Sequence, residues 1–330
     1  MSEKRWNPVM GEWVVTATHR QDRTFLPPAG YCPLCPTKSD GFPTEVPLPD
    51  YEFVVFENKF PSLKRKAGPP AIEATDLYPV EPSEGVCEVV LYSSSHDSTL
   101  SDLTAEKMVQ LVHVWKDRYE ELGERPEIDY VFIFENKGEA IGVTIHHPHG
   151  QIYAFSFIPP RLQREIENEY EHNQKTGHCL HCDVIAEELR DGRRIVAQNA
   201  HFVAFIPFYA RYPYELHVYA KTHLPSMKEF SEADEQGLAE ILHVVLKKYD
   251  NLWGFSMPYM MIMHQRPTDG KHYPGSHFHI EFYPPLRTAQ KLKYLAGCES
   301  GAGTFVNDTL PEEKAAELRD TPADSMEKSK

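Results

Sequence analysis

The sequence predicts an α+β protein made of two copies of one unit, with an antiparallel sheet flanked by helices. Three observations carry this prediction. A Cys-x-x-Cys pair occurs once in each half, at Cys32 and Cys35 and again at Cys179 and Cys182. Each pair is followed by a helical stripe of apolar residues, an apolar strand and a His-x-His pair. Two copies of one unit explain this repeated order better than coincidence does.

The first unit is predicted to span residues 1–160. It begins with a strand at residues 13–17, and a second apolar strand follows at residues 130–134. Between them, apolar residues recur at every third or fourth position, which is typical of a helix packed on a sheet. This stripe consists of Met108, Leu111, Val112, Trp115 and Tyr119.

The second unit is predicted to span residues 161–320, starting with a charged helix near residues 161–173. Its apolar strand is expected at residues 259–263, and the last ten residues, 321–330, are expected to form a disordered tail. The equivalent helical stripe consists of Leu238, Ile241, Leu242, Val245 and Tyr249.

Composition restricts the class of protein. The chain has 330 residues, 41% hydrophobic content and a net charge of −15, which fits a globular protein that binds neither nucleic acid nor acidic membranes. No apolar run approaches a membrane span, and no signal peptide is evident. Six cysteines, four of them in Cys-x-x-Cys pairs, suggest metal sites in a reducing cytoplasm.

The most informative segment runs from His147 to Gln151. Alternate residues of an extended strand point to the same side, so His147, His149 and Gln151 are expected to share one face. An imidazole can bind a metal or attack an electrophile, and a carboxamide can donate hydrogen bonds to an anion. This combination suits chemistry on a phosphate.

The cysteine pairs predict metal binding. Two thiolates and two imidazoles form a tetrahedral zinc set. A single Cys-x-x-Cys pair could equally be a redox motif or a chance occurrence. The repeat of the same order in the second half favours metal. The first set is Cys32, Cys35, His96 and His147, and the second set is Cys179, Cys182, His223 and His277.

The segment His147–Gln151 resembles the active-site motif of the galactose-1-phosphate uridylyltransferases, a branch of the histidine-triad superfamily. The resemblance covers about residues 5–305 and implies duplicated histidine-triad-like units and a homodimer with the site near the subunit boundary. It also implies substrate contacts at Arg20, Arg23, Asn58, Phe60, Asn136, Gly142, Thr144, Gln151, Lys293, Tyr294 and Glu299.

The reaction that the resemblance implies converts UDP-glucose and galactose 1-phosphate into glucose 1-phosphate and UDP-galactose. His149 would be the nucleophile of a ping-pong route through a covalent uridylyl-histidine, and Gln151 would donate to a phosphate oxygen. Gly150 would let the backbone approach the phosphate. Candidates to neutralise phosphate charge are Arg20, Arg23, Lys137 and Lys293.

The second metal site has two possible ligand sets. Some members of the family hold a metal, such as iron, with a glutamate and three histidines, which correspond here to Glu165, His264, His277 and His279. Because His277 belongs to both sets, they cannot both be complete. Thiolate ligands favour zinc, so the set with Cys179 and Cys182 is preferred, giving two zinc ions per chain.

Two alternative functions stay open at this point. The chain could be an ADP-sugar phosphorylase or another nucleotidyl transferase of the same superfamily, or a zinc-stabilised nucleotide-binding protein without turnover. The sequence departs from the family pattern at Lys59, where the family has an acid, at Thr144 for a serine, and at Tyr153 for a tryptophan. These departures affect nucleotide or sugar preference and leave the nucleophile intact.

Overall fold

The structure, a computed structural model, describes residues 2–22, 27–28, 30–39 and 41–324. The first half contains strands β1 (Ser2–Asn7), β2 (Glu12–Ala17), β3 (Val54–Glu57), β4 (Val80–Pro82) and β5 (Gly85–Leu91), helix α1 (Ala105–Gly123), and strands β6 (Tyr130–Lys137) and β7 (His149–Phe155). The second half contains helices α2 (Pro160–Thr176) and α3 (Leu180–Asp191), strands β8 (Ile195–Gln198), β9 (Phe202–Phe205) and β10 (Leu216–Ala220), helix α4 (Glu232–Trp253), strands β11 (Tyr259–His264), β12 (His279–Tyr283), β13 (Leu286–Thr288) and β14 (Lys291–Leu292), and helices α5 (Gly297–Ala302) and α6 (Pro311–Asp320).

Nine strands form one antiparallel sheet in the order β3-β5-β7-β6-β11-β12-β10-β9-β8. The two halves meet where β6 pairs with β11, with Phe134 opposite Ile262. Outward from this junction the strands β6, β7, β5 and β3 of the first half correspond to β11, β12, β10 and β9 of the second. The predicted fold class, a duplicated α+β unit with an antiparallel sheet flanked by helices, is therefore confirmed.

Helices α1 and α4 pack side by side on one face of this sheet and form one hydrophobic core that both units share. Both predicted stripes are buried in that core. Thr104 caps the start of α1 by accepting from the Lys107 amide, and Ser231 and Asp234 form a capping box at the start of α4. None of the helices in the described ranges is long and apolar enough to cross a membrane.

The opposite face of the sheet is covered differently in the two halves. In the second half, Ile185 of α3 packs on Phe205 and Tyr219, while α2 places Glu165 against His264 of β11. In the first half no helix of the described chain covers the strands in this way, and His149 lines cavities that open there. The duplicated unit thus has one closed copy and one open copy.

The predicted tail lies partly outside the described residues. Residues 321–324, which come directly after α6, are held against α4. Lys248 of α4 donates to the Thr321 carbonyl at 2.6 Å, and Asn251 of α4 donates to the Asp324 carbonyl at 2.8 Å. The predicted disordered tail spans residues 321–330, and its last six residues, 325–330, lie outside the described residues.

Gly150 faces the helices, and its small size serves core packing. A Cβ atom at this position would lie 1.9 Å from the Tyr92 hydroxyl and 3.3 Å from the Phe134 carbonyl oxygen. The Tyr92 ring is buried in the close-packed core, where it contacts Trp115 edge to face. The expectation that Gly150 admits a phosphate to the backbone is therefore replaced by a packing reason, since the residue points away from the open face.

Glu135 is a buried carboxyl group on β6 beside the same core. Its Oε2 atom has no hydrogen-bond partner among the described residues, and desolvation raises its pKa to about 8. The protonated form of Glu135 consequently predominates in the folded protein at neutral pH.

We predict that Gly150→Ala lowers the free energy of unfolding by about 1–3 kcal/mol, because the added methyl group meets the Tyr92 hydroxyl. Urea denaturation measures this. The double variant with Tyr92→Phe should recover part of the loss, since that hydroxyl has no hydrogen-bond partner among the described residues. A Gly150→Ala protein as stable as wild type would contradict this packing.

We predict that stability falls as pH rises from about 4.5 to about 8 through Glu135. The unfolded carboxyl ionises near 4.5 while the folded one holds its proton to about 8, so between these values the folded state binds more protons. Glu135→Gln should remove this slope, amounting to about 4 kcal/mol at pH 8. Denaturation of both proteins at pH 5 and pH 8 tests this, and equal pH slopes would refute it.

Candidate active site and metal clusters

The candidate nucleophile, His149, opens β7, a strand held between β5 and β6. His149 lies opposite Leu91, and Gln151 lies opposite Val89 on β5 and Phe134 on β6. The strand starts one residue later than Pro148, so His147 precedes it and only His149 and Gln151 share a strand face. The expectation that all three side chains line one strand wall is thus met for the last two.

A short hydrogen bond fixes the protonation of the His149 ring. Its Nδ1 lies 2.7 Å from the carbonyl oxygen of His147, and a carbonyl can only accept. Nδ1 therefore holds the proton, and in the neutral ring Nε2 carries the lone pair. This is the tautomer that a nucleophilic imidazole requires.

His149 and Gln151 lie at one end of a cavity of about 260 Å³. The apolar side chains Phe56, Val89 and Ile145 line its wall. The other edges of the cavity carry polar and charged side chains together with an aromatic ring. Among the residues that line them are Arg20, Asn58, Lys59, Phe60 and Glu45. The cavity has the size and lining of a site for a small planar ligand that carries an anionic group.

The loop after β3 supplies two of the predicted contacts. Asn58 donates its backbone amide to the Cys87 carbonyl at 2.8 Å, and its side-chain oxygen accepts from the Phe60 amide at 2.9 Å. Arg20 holds the same loop, because its Nη1 lies 3.0 Å from the Phe60 carbonyl and 3.4 Å from the Tyr153 hydroxyl. Its partner in the predicted pair, Arg23, lies outside the described residues.

A second cavity of about 330 Å³ also reaches His149. Asn136 lines it, together with Gly138 and the residues that flank His147. Gly142 adopts a left-handed conformation with φ of 84° in the adjoining loop. Thr144, two residues on, has a buried hydroxyl without a hydrogen-bond partner in the described part of the chain.

The C-terminal residues expected at the substrate are not brought to His149 within one chain. Lys293 is buried and contacts Glu299 at 3.4 Å and the Val306 carbonyl. Tyr294 is 73% exposed. Neither cavity that includes His149 is lined by any of these three side chains.

Lys137 lines the cavity of about 330 Å³, but its ammonium group already has partners within the chain. Its ammonium group lies 3.1 Å from the Asp250 carboxylate and over the Tyr259 ring. Of the cations proposed to neutralise phosphate, Arg20 lines one cavity that includes His149 and Lys137 lines the other, while Lys293 lines neither.

The first metal set is assembled as predicted. The ligand atoms of Cys32, Cys35, His96 and His147 all lie within 4.8 Å of one another. The Cys35 sulfur lies 3.4 Å from Nδ1 of His96 and 3.6 Å from Nδ1 of His147. A tetrahedral zinc ion with bonds of about 2.0–2.3 Å separates its sulfur and nitrogen ligands by about 3.5 Å, so these residues fit such an ion.

Burial prepares His147 to be a metal ligand. Desolvation lowers its pKa to about 4, so the ring is neutral at neutral pH. Its Nε2 lies 2.9 Å from the Ser93 carbonyl oxygen and therefore carries the proton, which leaves the Nδ1 lone pair facing the cysteines. Tyr51 supports this arrangement, since its hydroxyl oxygen lies 2.6 Å from Nε2 and its proton is donated to the Leu34 carbonyl. No motif in the sequence marked Tyr51 or Ser93.

The second set, Cys179, Cys182, His223 and His277, is assembled in the same way. The Cys182 sulfur lies 3.6 Å from Nδ1 of His277 and 3.7 Å from Nδ1 of His223. Nε2 of His277 donates to the Ala220 carbonyl at 2.7 Å, just as His147 donates to Ser93. His277 therefore faces the cysteine pair.

The remaining members of the alternative set form a separate group. The ligand atoms of Glu165, His264 and His279 lie within 4.8 Å of one another without His277. Glu165 accepts from Nδ1 of His264 at 2.7 Å, and Glu281 lies 3.5 Å from Nε2. The two sets thus do not compete for His277 in this structure, because its ring is turned to the sulfur atoms.

Comparison with known proteins places this geometry in a family. The sequence profile described as galactose-1-phosphate uridyl transferase, N-terminal domain, matches residues 1–159, and the C-terminal domain profile matches residues 163–329. A galactose-1-phosphate uridylyltransferase of Thermotoga maritima is 39% identical over 97% of this chain and 99% of its own length. One from Haemophilus influenzae is 34% identical over 96% of this chain and 93% of its own length.

Solved structures agree with the sequence comparison. A uridylyltransferase structure superposes with a TM-score of 0.85 at 34% identity, covering 96% of this chain and 97% of its own. An ADP-glucose phosphorylase from Arabidopsis thaliana with bound ADP-glucose has a TM-score of 0.73 at 23% identity, covering 98% and 99%, and shares the fold. With both halves matched and relatives above 30% identity along nearly its full length, the chain belongs to the galactose-1-phosphate uridylyltransferase family.

Proposed function

We propose that the protein transfers a uridylyl group from UDP-glucose to galactose 1-phosphate, giving glucose 1-phosphate and UDP-galactose. The observation that carries this proposal is the hydrogen bond from His149 Nδ1 to the His147 carbonyl, in a cavity that Gln151 shares. It prepares Nε2 for attack on phosphorus, and the names of the relatives supply the uridylyl group and the acceptor, galactose 1-phosphate.

The reaction proceeds in two displacements at the α-phosphorus. Nε2 of His149 forms a bond to phosphorus while the bond to the glucose 1-phosphate oxygen breaks, and the electron pair leaves with that oxygen. The ring then carries the uridylyl group and a positive charge, which the His147 carbonyl stabilises through Nδ1–H. An oxygen of galactose 1-phosphate attacks the same phosphorus and returns the electron pair to Nε2.

Gln151 contributes without moving a proton. Its amide can donate to a non-bridging phosphate oxygen as charge develops there in each transition state. A carboxamide is no general acid, so it offers no proton to assist attack by water. This suits an intermediate that must persist until the second sugar phosphate arrives.

We infer that both cysteine clusters hold zinc, two ions per chain, and that the second could instead hold iron. Burial and the neighbouring Cys32 raise the pKa of the Cys35 thiol to about 11, so a bound cation has to displace its proton. Four protein ligands leave no open position for substrate, so such an ion supplies a structural cross-link. The ion at the first site would hold His147, and hence the carbonyl that orients His149.

We also propose that the protein acts as a homodimer, in which a second copy supplies Lys293, Tyr294 and Glu299. This explains why these residues lie away from His149 in their own chain. The segment around them exposes large apolar side chains suited to burial in a contact. They are Tyr294, Leu295, Val306 and Leu310. The free thiols of all six cysteines suit a reducing compartment, and we propose the cytoplasm.

We predict that intact-mass analysis after mixing with UDP-glucose shows a uridylyl adduct, and that galactose 1-phosphate removes it. His149→Ala should form no adduct, because the attacking nitrogen is gone. His272→Ala, an exposed histidine outside both cavities, is the matched control and should react like wild type.

Running ADP-glucose in parallel tests the base preference. An adenylyl adduct formed from ADP-glucose alone would replace this proposal with an ADP-sugar phosphorylase. Nucleotide binding that is unchanged in His149→Ala, with no adduct in wild type from either donor, would leave a nucleotide-binding protein without turnover.

We predict that Cys32→Ala and Cys179→Ala each lose one zinc ion per chain, measured by elemental analysis of the purified protein. Cys32→Ala should also lower the yield of folded protein. Cys298→Ala is the control for metal content, since this exposed thiol belongs to neither cluster. A stable Cys32→Ala protein that retains wild-type metal content would exclude the first site.

A further inference from the structure

An ion pair joins two loops beside the cavity that contains His149 and Gln151. The ammonium group of Lys59 lies 2.9 Å from Oε1 of Glu45, and both residues line this cavity. Among the described residues that line it, Glu45 carries the only carboxylate. A carboxylate in a site for an anionic nucleotide calls for a reason.

Stability does not supply that reason. Lys59 is 65% exposed in its side chain, and an exposed pair of this kind contributes only about 0.2–1 kcal/mol to folding. The hydrogen bond and charge of Glu45 raise the pKa of Lys59, which keeps the lysine cationic and the pair neutral overall. The carboxylate is thus screened from the substrate phosphates while its oxygens can still accept hydrogen bonds.

Both partners are anchored in their loops. The loop of Glu45 is tied to the segment that carries the first cysteine pair. The Glu45 amide donates to the Pro33 carbonyl at 2.9 Å, and the neighbouring Thr44 hydroxyl donates to the Cys35 carbonyl at 2.6 Å. Lys59 is next to Asn58 in the chain, and the Asn58 amide donates to the Cys87 carbonyl of β5. The backbone positions of Glu45 and Lys59 are therefore set before a ligand arrives, which reduces the ordering cost of binding.

The cavity leaves one part of a nucleotide for this carboxylate. His149 and Gln151 mark the place of the α-phosphate, and the apolar wall of Phe56, Val89 and Ile145 suits the planar base. The ribose must lie between them. Its two adjacent hydroxyls are donors, and a fixed carboxylate is the group by which nucleotide sites commonly bind a ribose diol.

We propose that Glu45, held in place by Lys59, accepts hydrogen bonds from the ribose hydroxyls of the bound nucleotide and makes the enzyme select ribonucleotides. This inference rests on the proposed function and deepens it. It assigns to Glu45 and Lys59 a role in substrate selection and none in the displacement at phosphorus.

The test compares UDP-glucose with its 2′-deoxy and 3′-deoxy analogues in single-turnover adduct formation followed by intact mass. Wild type should need about 10–100 times more of at least one analogue for half-saturation, since that analogue cannot donate to the carboxylate. Glu45→Gln should raise the half-saturating concentration of UDP-glucose by a similar factor and leave that of the deoxy analogue nearly unchanged. Lys59→Met should give a smaller loss in the same direction.

The maximal rate of adduct formation should not change in either variant, because neither residue acts on phosphorus. Glu171→Gln is the matched control, since Glu171 pairs with Lys175 at 3.1 Å in an exposed ion pair outside the cavity. Equal weakening of ribose and deoxyribose substrates by Glu45→Gln would overturn the inference, as would wild-type selectivity in that variant.

Calorimetric titration with UDP and its two deoxy analogues separates this inference from the proposed function. If wild type forms no adduct but binds UDP, the uridylyl transfer fails while the selectivity of Glu45 is still measured by binding. If UDP binds no better than either deoxy analogue, or does not bind at all, the inference fails whatever the adduct experiment shows.

Discussion

The backbone of His147 is the point on which the site depends. Its carbonyl oxygen accepts the Nδ1 proton of His149 and so decides which nitrogen can attack. Its own ring is directed by the Ser93 carbonyl toward the two cysteines. One residue therefore connects the candidate metal cluster to the candidate nucleophile, and anything that loosens the cluster also loosens the orientation of His149.

The second unit repeats this hydrogen bond, but its histidine is not accessible to a ligand. Nδ1 of His279 lies 3.0 Å from the His277 carbonyl, as His149 does from His147. His279 is only 1% exposed, however, and its Nε2 faces Glu165 of α2 at 3.7 Å. The same strand geometry thus yields a candidate nucleophile where the sheet face is open and a buried polar cluster where a helix covers it.

Much of the architecture could be predicted because it follows local rules. The stripes of α1 and α4, the strand before each His-x-His pair and both cysteine clusters all depend on residue type and short spacing. The placement of charge could not be predicted in this way. Lys137 and Lys293 are paired with Asp250 and Glu299, and only the folded chain brings those partners together.

By itself the sequence determined the duplicated α+β fold, which is encoded in a repeated pattern of residue types, and it predicted the two metal sets and the candidate nucleophile. The tertiary structure decided the rest. It turned His277 to the cysteines, placed Tyr92 under Gly150 and set Glu45 beside Lys59. These contacts join residues from separate loops and strands, and their geometry depends on how the sheet packs, which no local spacing specifies.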